Sequence, residues 1–127
     1  MNMIDKAFGV APQALVLRAQ RFELISANIA NADTPGYKAR DIDFADALSR
    51  AREGAAPARV THPAHIATSD LRQAVLYRTP AQATLDGNTV ETEQEHAAFM
   101  DNAIRYQASL NFLNGRIKSI LGALRGE

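Results

Sequence analysis

Histidine and carboxylate side chains are the residues of this sequence that could bind a metal or catalyse a reaction. His62 and His65 stand three apart with Asp70 nearby, a combination that could supply metal ligands. Two histidines at that spacing on a loop lack the fixed geometry of a helix, and no clear third ligand accompanies them. We therefore predict an ordinary polar loop without a metal ion.

Three glutamates, Glu91, Glu93 and Glu95, look like paired catalytic acids, but they stand at the start of a predicted helix. Carboxylates in that position complement the positive end of the helix dipole. The sequence has no Ser-His-Asp order, glycine-rich phosphate loop or zinc-protease motif. It has no cysteine, so a thiolate nucleophile is excluded. We predict a protein that is not an enzyme, without catalytic residues, cofactor or small-molecule substrate.

The composition limits the remaining classes of function. The 127 residues fit one domain, and the hydrophobic share of 46% is that of a globular chain. Lys and Arg equal Asp and Glu at 14 each, so the net charge is zero. A nucleic-acid-binding domain is normally basic, so we predict no nucleic-acid partner. No run approaches a membrane span, and the N-terminus does not have the pattern of a standard secretory leader.

The first long element predicted is an N-terminal helix over residues 12–32. Pro12 suits its first turn, where the missing N–H costs nothing. Positions at alternating spacings of four and three define a heptad seam with one polar member: Ala11, Leu15, Arg18, Phe22, Ile25, Ile29 and Ala32. A second stripe of Val10, Leu17 and Leu24 repeats every seven residues, so we predict two helical neighbours for this helix.

Arg18 is the one charged residue in this seam. We predict that it either pairs with a carboxylate such as Glu95 or Asp101, or extends its guanidinium to water along an apolar stem. A register-setting role is a third alternative, by analogy with polar residues at the core positions of coiled coils.

A C-terminal helix is predicted over residues 92–125. Thr92 with Glu95 has the form of a capping box. Eight apolar seam positions follow at spacings of four and three: Phe99, Ala103, Tyr106, Leu110, Leu113, Ile117, Ile120 and Leu124. The helix would be roughly 48 Å long, against a radius of gyration of about 14 Å for a globule of this size. Its apolar stripe must therefore be covered by the first helix, by other copies, or by both.

Gly115 and Gly122 lie seven apart in this helix and face away from its seam. Each costs up to about 1 kcal/mol relative to alanine in a helix interior. Two interpretations are open. The glycines let a second backbone approach the outer face closely, or they are tolerated near a fraying helix end.

Residues 33–91 form a weaker middle segment between the two helices. A short helix is predicted over 45–52 and a short strand over 74–78, and Asp86 followed by Gly87 is a turn signal. A small β element and an irregular arm are both compatible with this pattern. The sequence therefore predicts a mostly α fold in a single domain over 1–127.

The end of the first helix carries the most distinctive run of the sequence, the turn motif: Asn28, Ile29, Ala30, Asn31, Ala32, Asp33, Thr34, Pro35, Gly36 and Tyr37. Pro-Gly suits the central positions of a type II turn, because glycine accepts positive φ. Asn28 and Asn31 could bind carbonyls of a neighbouring subunit or cap their own helix end, and both alternatives are open. Tyr37 is predicted to cover the turn by local packing.

The turn motif, with Lys38 after it, closely resembles the N-terminal motif of the axial proteins of the bacterial flagellum, which are the rod, hook and hook-associated subunits. Residues 39–44, 61–66, 86–90 and 102–108 resemble the proximal-rod branch of that family. The short length also fits, because hook and distal-rod members carry large inserted domains. One departure is Ala27, where many relatives carry a further asparagine.

The resemblance implies a fold and a function. The long amphipathic terminal helices pair antiparallel, in a coiled-coil-like way, around a short irregular or small-β middle segment. The chain is a structural subunit of the proximal rod, a tube through the periplasm built by helical packing of its copies with other rod proteins. The implied partners at the base are a rod-base adaptor, the export gate and the membrane ring. Export uses the flagellar type III apparatus without a cleaved signal peptide.

Seam residues are expected to pack against neighbouring subunits: Leu15, Arg18, Phe22, Ile25, Ile29, Phe99, Tyr106, Leu110, Leu113, Ile117, Ile120 and Leu124. Heterologous, non-closing packing of that kind builds filaments. The alternative is a soluble helical adaptor or homo-oligomeric coiled coil unrelated to flagella, which explains the heptads but not the order of the turn motif. A helix lying on a membrane surface is a third hypothesis, weakened by the zero net charge.

Overall fold

The computed structural model describes residues 3–52 and 75–126, which are mostly helical. The elements in chain order are α1 (Met3–Phe8), α2 (Ala11–Ala30), β1 (Arg40–Ile42), α3 (Phe44–Arg52), β2 (Val75–Tyr77) and α4 (Thr92–Arg125). The two strands form one small sheet. The prediction of a mostly helical fold with long terminal helices in contact is confirmed.

A tight bend at Gly9 separates α1 from α2. Its φ of 61° lies in the left-handed region, which glycine adopts without the steric cost that other residues incur. Pro12 lies at the start of α2, where its fixed φ is compatible with the helix. The helix ends at Ala30, slightly before the predicted boundary, and the prediction did not include α1.

The two long helices pack side by side in antiparallel orientation, because contacts that move forward along α2 move backward along α4. The Asn102 side chain donates a hydrogen bond to the Arg18 carbonyl (2.9 Å), whereas Asn28, further along α2, contacts Glu95, earlier in α4. With 20 and 34 residues, α2 and α4 are about 30 and 51 Å long, so α4 extends well beyond its partner.

A small apolar core lies against α2, where α3 and the sheet cover it. Leu17, Ile42 and Ala47 are buried, and these partly buried side chains pack against them: Leu24, Phe44, Leu48 and Val75. Leu17 and Leu24 belong to the second stripe of α2, whose periodicity predicts a second helical neighbour. Within this chain α3 is a second helical neighbour of α2 beside α4, and the strands also cover Leu17 and Leu24, because the middle segment folds back onto α2. Val10, the first residue of the stripe, is 37% exposed.

The sheet is the small β element that the sequence left as one of two alternatives. β1 and β2 are antiparallel, with Arg40 opposite Tyr77 and Ile42 opposite Val75. Ile42 is 6% exposed, so it is the residue through which β1 contributes to the core. Because β1 directly follows the turn motif, the sheet fixes where the chain goes after α2.

The two ends of α4 are stabilised differently. The predicted capping box is wrong, because Glu91 is the N-cap residue and no side chain caps the helix start. Glu95 lies instead in a buried polar network described below. At the other end Gly126 has a φ of 75°, in the left-handed region, and its N–H donates to the Gly122 carbonyl. A glycine in this conformation commonly ends an α-helix.

Candidate assembly surface and turn motif

Asn28, the first residue of the turn motif, joins α2 to the sheet. Its side chain is fully buried, Nδ2 donates to the Arg40 carbonyl (2.8 Å), and Oδ1 accepts from the Arg40 N–H (3.0 Å). The side-chain amide offers the same donor and acceptor as a peptide group, so it pairs with β1 as a strand would. Nδ2 also donates to Glu95 (3.2 Å). Its partners are therefore β1 and α4 of the same chain, rather than its own helix end.

An ion-pair network lies beside Asn28. Asp41 on β1 accepts hydrogen bonds from Arg21 on α2 (2.9 Å) and from Arg78 after β2 (2.7 Å), and Arg78 also binds Glu95 on α4. The Glu95 side chain is 0% exposed, and the other three side chains are 20–21% exposed. Charges this far from water need opposite partners to offset their desolvation, and each of these four has one. The network ties α2, the sheet and α4 together.

Burial and hydrogen bonding act in opposite directions on the pKa of Asp41. Desolvation raises that pKa, but hydrogen bonds from Arg21, Arg78 and the Ile42 N–H together lower it more, so it lies below its ordinary value. The pKa of Arg21 is raised, chiefly by its hydrogen bond to Asp41. Both groups are therefore charged at neutral pH, the state in which the network connects the elements.

Asp41→Asn should destabilise the chain by about 2 kcal/mol at pH 7, between the costs of breaking exposed and fully buried pairs. The folded-state pKa of Asp41 is depressed, so its stabilisation is present above the unfolded pKa near 3.9 and is lost as pH falls through the folded pKa. The difference between the two proteins should therefore shrink below about pH 4. Urea unfolding at several pH values measures it.

Asp46→Asn is the matched control for this prediction. Asp46 pairs with Arg50 one turn along α3, and both side chains are 44% exposed. Exposed pairs at this spacing contribute about 0.3–0.5 kcal/mol. Equal losses of stability in the two variants would show that the Asp41 network contributes no more than a surface pair.

The second half of the turn motif leads the chain away from α2. The Tyr37 N–H donates to the Thr34 carbonyl (3.2 Å) around Pro35 and Gly36, and Gly36 has a φ of 72°. This geometry fits the predicted type II turn, which requires positive φ at its third residue. Asn31 acts locally, because its Nδ2 donates to a carbonyl in the last turn of α2 (2.7 Å) and its Oδ1 accepts from Thr34 (3.1 Å).

Asn88 holds this turn in place, a role that was not predicted from the sequence. Its side chain is 3% exposed, and Nδ2 lies within hydrogen-bond distance of the carbonyls of Asn31 (2.9 Å), Ala32 (2.9 Å) and Thr34 (2.8 Å). Its Oδ1 accepts from the Val90 N–H (2.8 Å). The only sequence signal near Asn88 was the Asp86-Gly87 turn. A turn signal does not indicate which residues Asn88 binds, and its partners lie 54–57 residues earlier in the chain.

The predicted seam residues are partly covered within the single chain. Phe22 packs edge-on against Phe99 and Tyr106, with ring centroids 5.0 and 6.0 Å apart. Phe99, Ile117 and Leu124 are 37%, 38% and 79% exposed. Ile25 is fully buried and the rest are half-buried: Leu15, Ile29, Leu110, Leu113 and Ile120. The single chain thus covers part of the predicted seam.

Residues 9–38, which contain all of α2 and the turn motif, match a family model described as flagella basal body rod protein. The chain is also 47% identical to the flagellar basal body rod protein FlgB of Aeromonas hydrophila, over 97% of this chain and 96% of that protein. The chain belongs to the FlgB family. FlgB proteins of Salmonella typhimurium and Escherichia coli are 44% and 42% identical, over 99% and 98% of this chain and 98% and 97% of those proteins.

Membership in the FlgB family assigns the chain a structural role in the basal-body rod. A helical adaptor or coiled coil unrelated to flagella is not favoured, because the identity extends over nearly the whole sequence. The matched range 9–38 holds the turn motif, whereas its partners Arg40, Asn88 and Glu95 come from outside that range. In this chain, therefore, residues outside the matched range fix the position of the turn motif.

Arg18 does not make the predicted carboxylate pair. Its guanidinium lies over the ring of Phe44, 4.2 Å from the ring centroid, which is a cation–π contact with α3. The pKa of Arg18 is lowered, first by burial and then by neighbouring arginines. Glu95 and Asp101, the predicted partners, are bound to other arginines.

The histidines provide no site in the part of the chain that is described. His62, His65 and Asp70 lie outside the described residues, and His96 is exposed in the first turns of α4. Within 3–52 and 75–126, no three His, Asp or Glu side chains are grouped so that they could hold a metal ion. None of the helices in these two ranges combines the length and the apolar content needed to cross a bilayer.

Proposed function

We propose that the chain is a subunit of the proximal rod that assembles through α2 and α4 with further copies and other rod proteins. The observation that carries this proposal is the apolar surface of α4, where Met100, Ile104, Phe112 and Leu124 are 65%, 71%, 58% and 79% exposed. Apolar area left in water costs about 25 cal/mol per Å². A helix with this much exposed apolar surface, extending beyond its partner helix, is a surface for neighbouring subunits to cover.

The junction between α1 and α2 adds to this surface. An open cavity of about 710 Å³ lies between the junction and α4, and its lining includes the apolar residues Phe8, Val10 and Phe112 as well as Arg52 and Arg116. A helix of a neighbouring subunit that entered this cavity would continue the packing of α2 on α4. The amphipathic helices then act as a coiled-coil-like seam in the assembly, with the seam residues in contact with neighbours.

The turn motif has a different function in this proposal. The side chains of Asn28 and Asn31 form their hydrogen bonds within the chain. They therefore fix the direction of the chain after α2 instead of binding neighbouring subunits. Contact between subunits is left to the helices. The polar contacts around the motif favour one orientation of α2 relative to α4. A buried amide group needs hydrogen-bond partners, and only that orientation places them within reach.

The remaining assignments follow from the likeness of the turn motif to flagellar axial proteins. The assembled tube crosses the periplasm, and its base contacts a rod-base adaptor, the export gate and the membrane ring. The chain reaches this position through the flagellar type III apparatus without a cleaved leader. Its function needs no catalytic residue, cofactor, nucleic acid or small-molecule substrate.

Deletion and complementation in the flagellate bacterium that carries this gene test the proposal. The deletion strain should be non-motile and its basal bodies should lack the rod, and both defects should be reversed by the full-length gene on a plasmid. Purified basal bodies of the complemented strain should contain the chain with its N-terminal residues intact. A motile deletion strain, or basal bodies without the chain, would rule the proposal out.

A further inference from the structure

A buried amide lies between α2 and α4, about two helical turns along α4 from Glu95. Asn102 on α4 is 0% exposed, and its Nδ2 donates a hydrogen bond to the Arg18 carbonyl on α2 (2.9 Å). Its Oδ1 is also buried, and no residue in 3–52 or 75–126 provides a hydrogen-bond donor for it. The side-chain amide is therefore only half satisfied.

The hydrogen bond from Asn102 is not one that α2 needs. The Arg18 carbonyl lies in the interior of α2, where the N–H four residues later is its ordinary helical partner. A buried polar atom without a partner lowers stability, and the buried Nε of Arg18 also lacks one within the two described ranges. An apolar side chain of similar shape would avoid the cost of the unpaired Oδ1, so stability does not explain the amide.

Two side-chain hydrogen bonds join α2 directly to α4 in the described parts of the chain. The first joins Asn28 to Glu95 (3.2 Å) beside the turn motif, and the second joins Asn102 to Arg18. On α2 these contacts are separated by about 15 Å, at 1.5 Å per residue. A single directional contact lets two helices pivot about it, whereas two contacts at this separation fix the crossing angle. Apolar packing alone is less selective, because crossing angles of packed helices scatter by about 15–20°.

We propose that Asn102 is a positioning residue that fixes the crossing angle of α2 and α4, so that the far end of α4 meets its neighbours in the rod. The link to assembly rests on the proposed rod function. From Glu95 to Arg125 α4 extends about 45 Å, so a pivot of about 10° displaces its end by about 8 Å. Close-packed interfaces do not tolerate a displacement of that size. Buried asparagines in coiled coils likewise specify one arrangement while lowering stability.

Distances between spin labels test the crossing angle on the purified full-length chain, which has no cysteine of its own. Labels are attached to cysteines at exposed positions of the two helices. The near pair, Ser26→Cys with Gln94→Cys, lies beside the turn motif. The far pair, Gln13→Cys with Asn111→Cys, lies on the other side of the Asn102 contact. Both pairs should give narrow distance distributions in the parent chain.

Asn102→Leu removes the amide and keeps the number and branching of the side-chain heavy atoms. It should widen the far-pair distance distribution by about 4 Å, the movement that a pivot of about 10° produces over about 23 Å. The near-pair distribution should not change, and the urea midpoint should be no lower than in the parent. Cells that carry this variant as their only copy should swim less far in soft agar than the parent strain.

Leu110→Ala is the matched control, because Leu110 is a half-buried seam residue on the same helix and its truncation leaves the amide in place. It should lower the urea midpoint and leave the far-pair distribution as narrow as in the parent. Equal widening in the two variants would show that apolar packing sets the angle. If the chain with Asn102→Leu does not fold, Asn102→Ala takes its place, with the same widening expected in the far pair only.

The other outcomes are equally decisive. An unchanged far pair in the Asn102 variant would overturn the proposal, as would widening of both pairs, which would mean a general loosening of the fold. Widening of the far pair in a strain that swims normally would overturn the link between the crossing angle and assembly. A motile deletion strain, in contrast, would overturn the rod function and leave the distances measured on the purified chain intact.

Discussion

Ile117→Asp is expected to abolish motility while the isolated chain keeps its fold. The Ile117 side chain is 38% exposed in the single chain, so the new carboxylate can reach water and the cost to folding is about 1 kcal/mol. If a neighbouring subunit covers the seam in the rod, as we propose, the carboxylate would be buried there without a partner. That burial costs about 3 kcal/mol or more, which is on the order of a hundredfold in association. Swimming in soft agar and circular dichroism of the purified variant measure the two effects.

Two further aspartate variants separate assembly from folding. Leu124 is 79% exposed, so Leu124→Asp should leave the isolated chain almost unchanged and still impair rod formation. Leu85→Asp introduces the same charge at a fully exposed position outside both helices, and cells carrying it should swim normally. Normal swimming with Ile117→Asp and Leu124→Asp would mean that this part of α4 meets no neighbour.

The helices could be predicted because their signal is local. Apolar spacing of four and three is a property of each helix by itself, so residues such as Phe22 and Tyr106 indicated the paired surfaces without knowledge of the fold. Pro35 and Gly36 indicated their turn for the same reason, because the preferred φ values belong to the two residues themselves. The mostly helical fold with its two long helices therefore followed from the sequence.

The polar interior could not be predicted because its contacts join residues far apart in the chain. The spacing of Glu95 from Thr92 fitted a capping box. In the structure, however, the Glu95 side chain is buried and bound to Arg78 and Asn28. Leu17 belongs to a regular stripe, but that it packs on β1 and α3 rather than on another long helix depends on the path of the middle segment. Asn88 gave a turn signal and nothing that pointed to its carbonyl partners.

These contacts divide the chain into two kinds of surface. The groups that need exact geometry, the amides and ion pairs around the turn motif, are satisfied within one subunit. The apolar side chains that can adapt to a neighbour lie exposed along α4. Apolar contacts are non-directional, whereas hydrogen bonds fix one arrangement. A subunit built this way can hold its helices at a set angle and still pack against several neighbours.

Asn88→Asp should destabilise the chain by about 3–5 kcal/mol, although the two side chains have nearly the same shape. The substitution replaces an NH₂ group that faces the carbonyls of Asn31, Ala32 and Thr34 by a carboxylate oxygen. The two N–H donors that these three carbonyls share are lost, and a negative charge is placed against three partial negative charges in a site that is 3% exposed. Urea unfolding at pH 7 measures the loss of stability.

Asn114→Asp is the matched control, because Asn114 is exposed on α4 and the same exchange there should change stability by less than about 0.5 kcal/mol. Protonation offers a second check. Burial against carbonyls raises the folded-state pKa of the new carboxyl above its unfolded value near 3.9, so the deficit of Asn88→Asp should grow as pH rises from there. Below that value the protonated group can donate one hydrogen bond, and part of the stability should return. A variant as stable as the parent at pH 7 would mean that the Asn88 amide does not hold the turn motif in place.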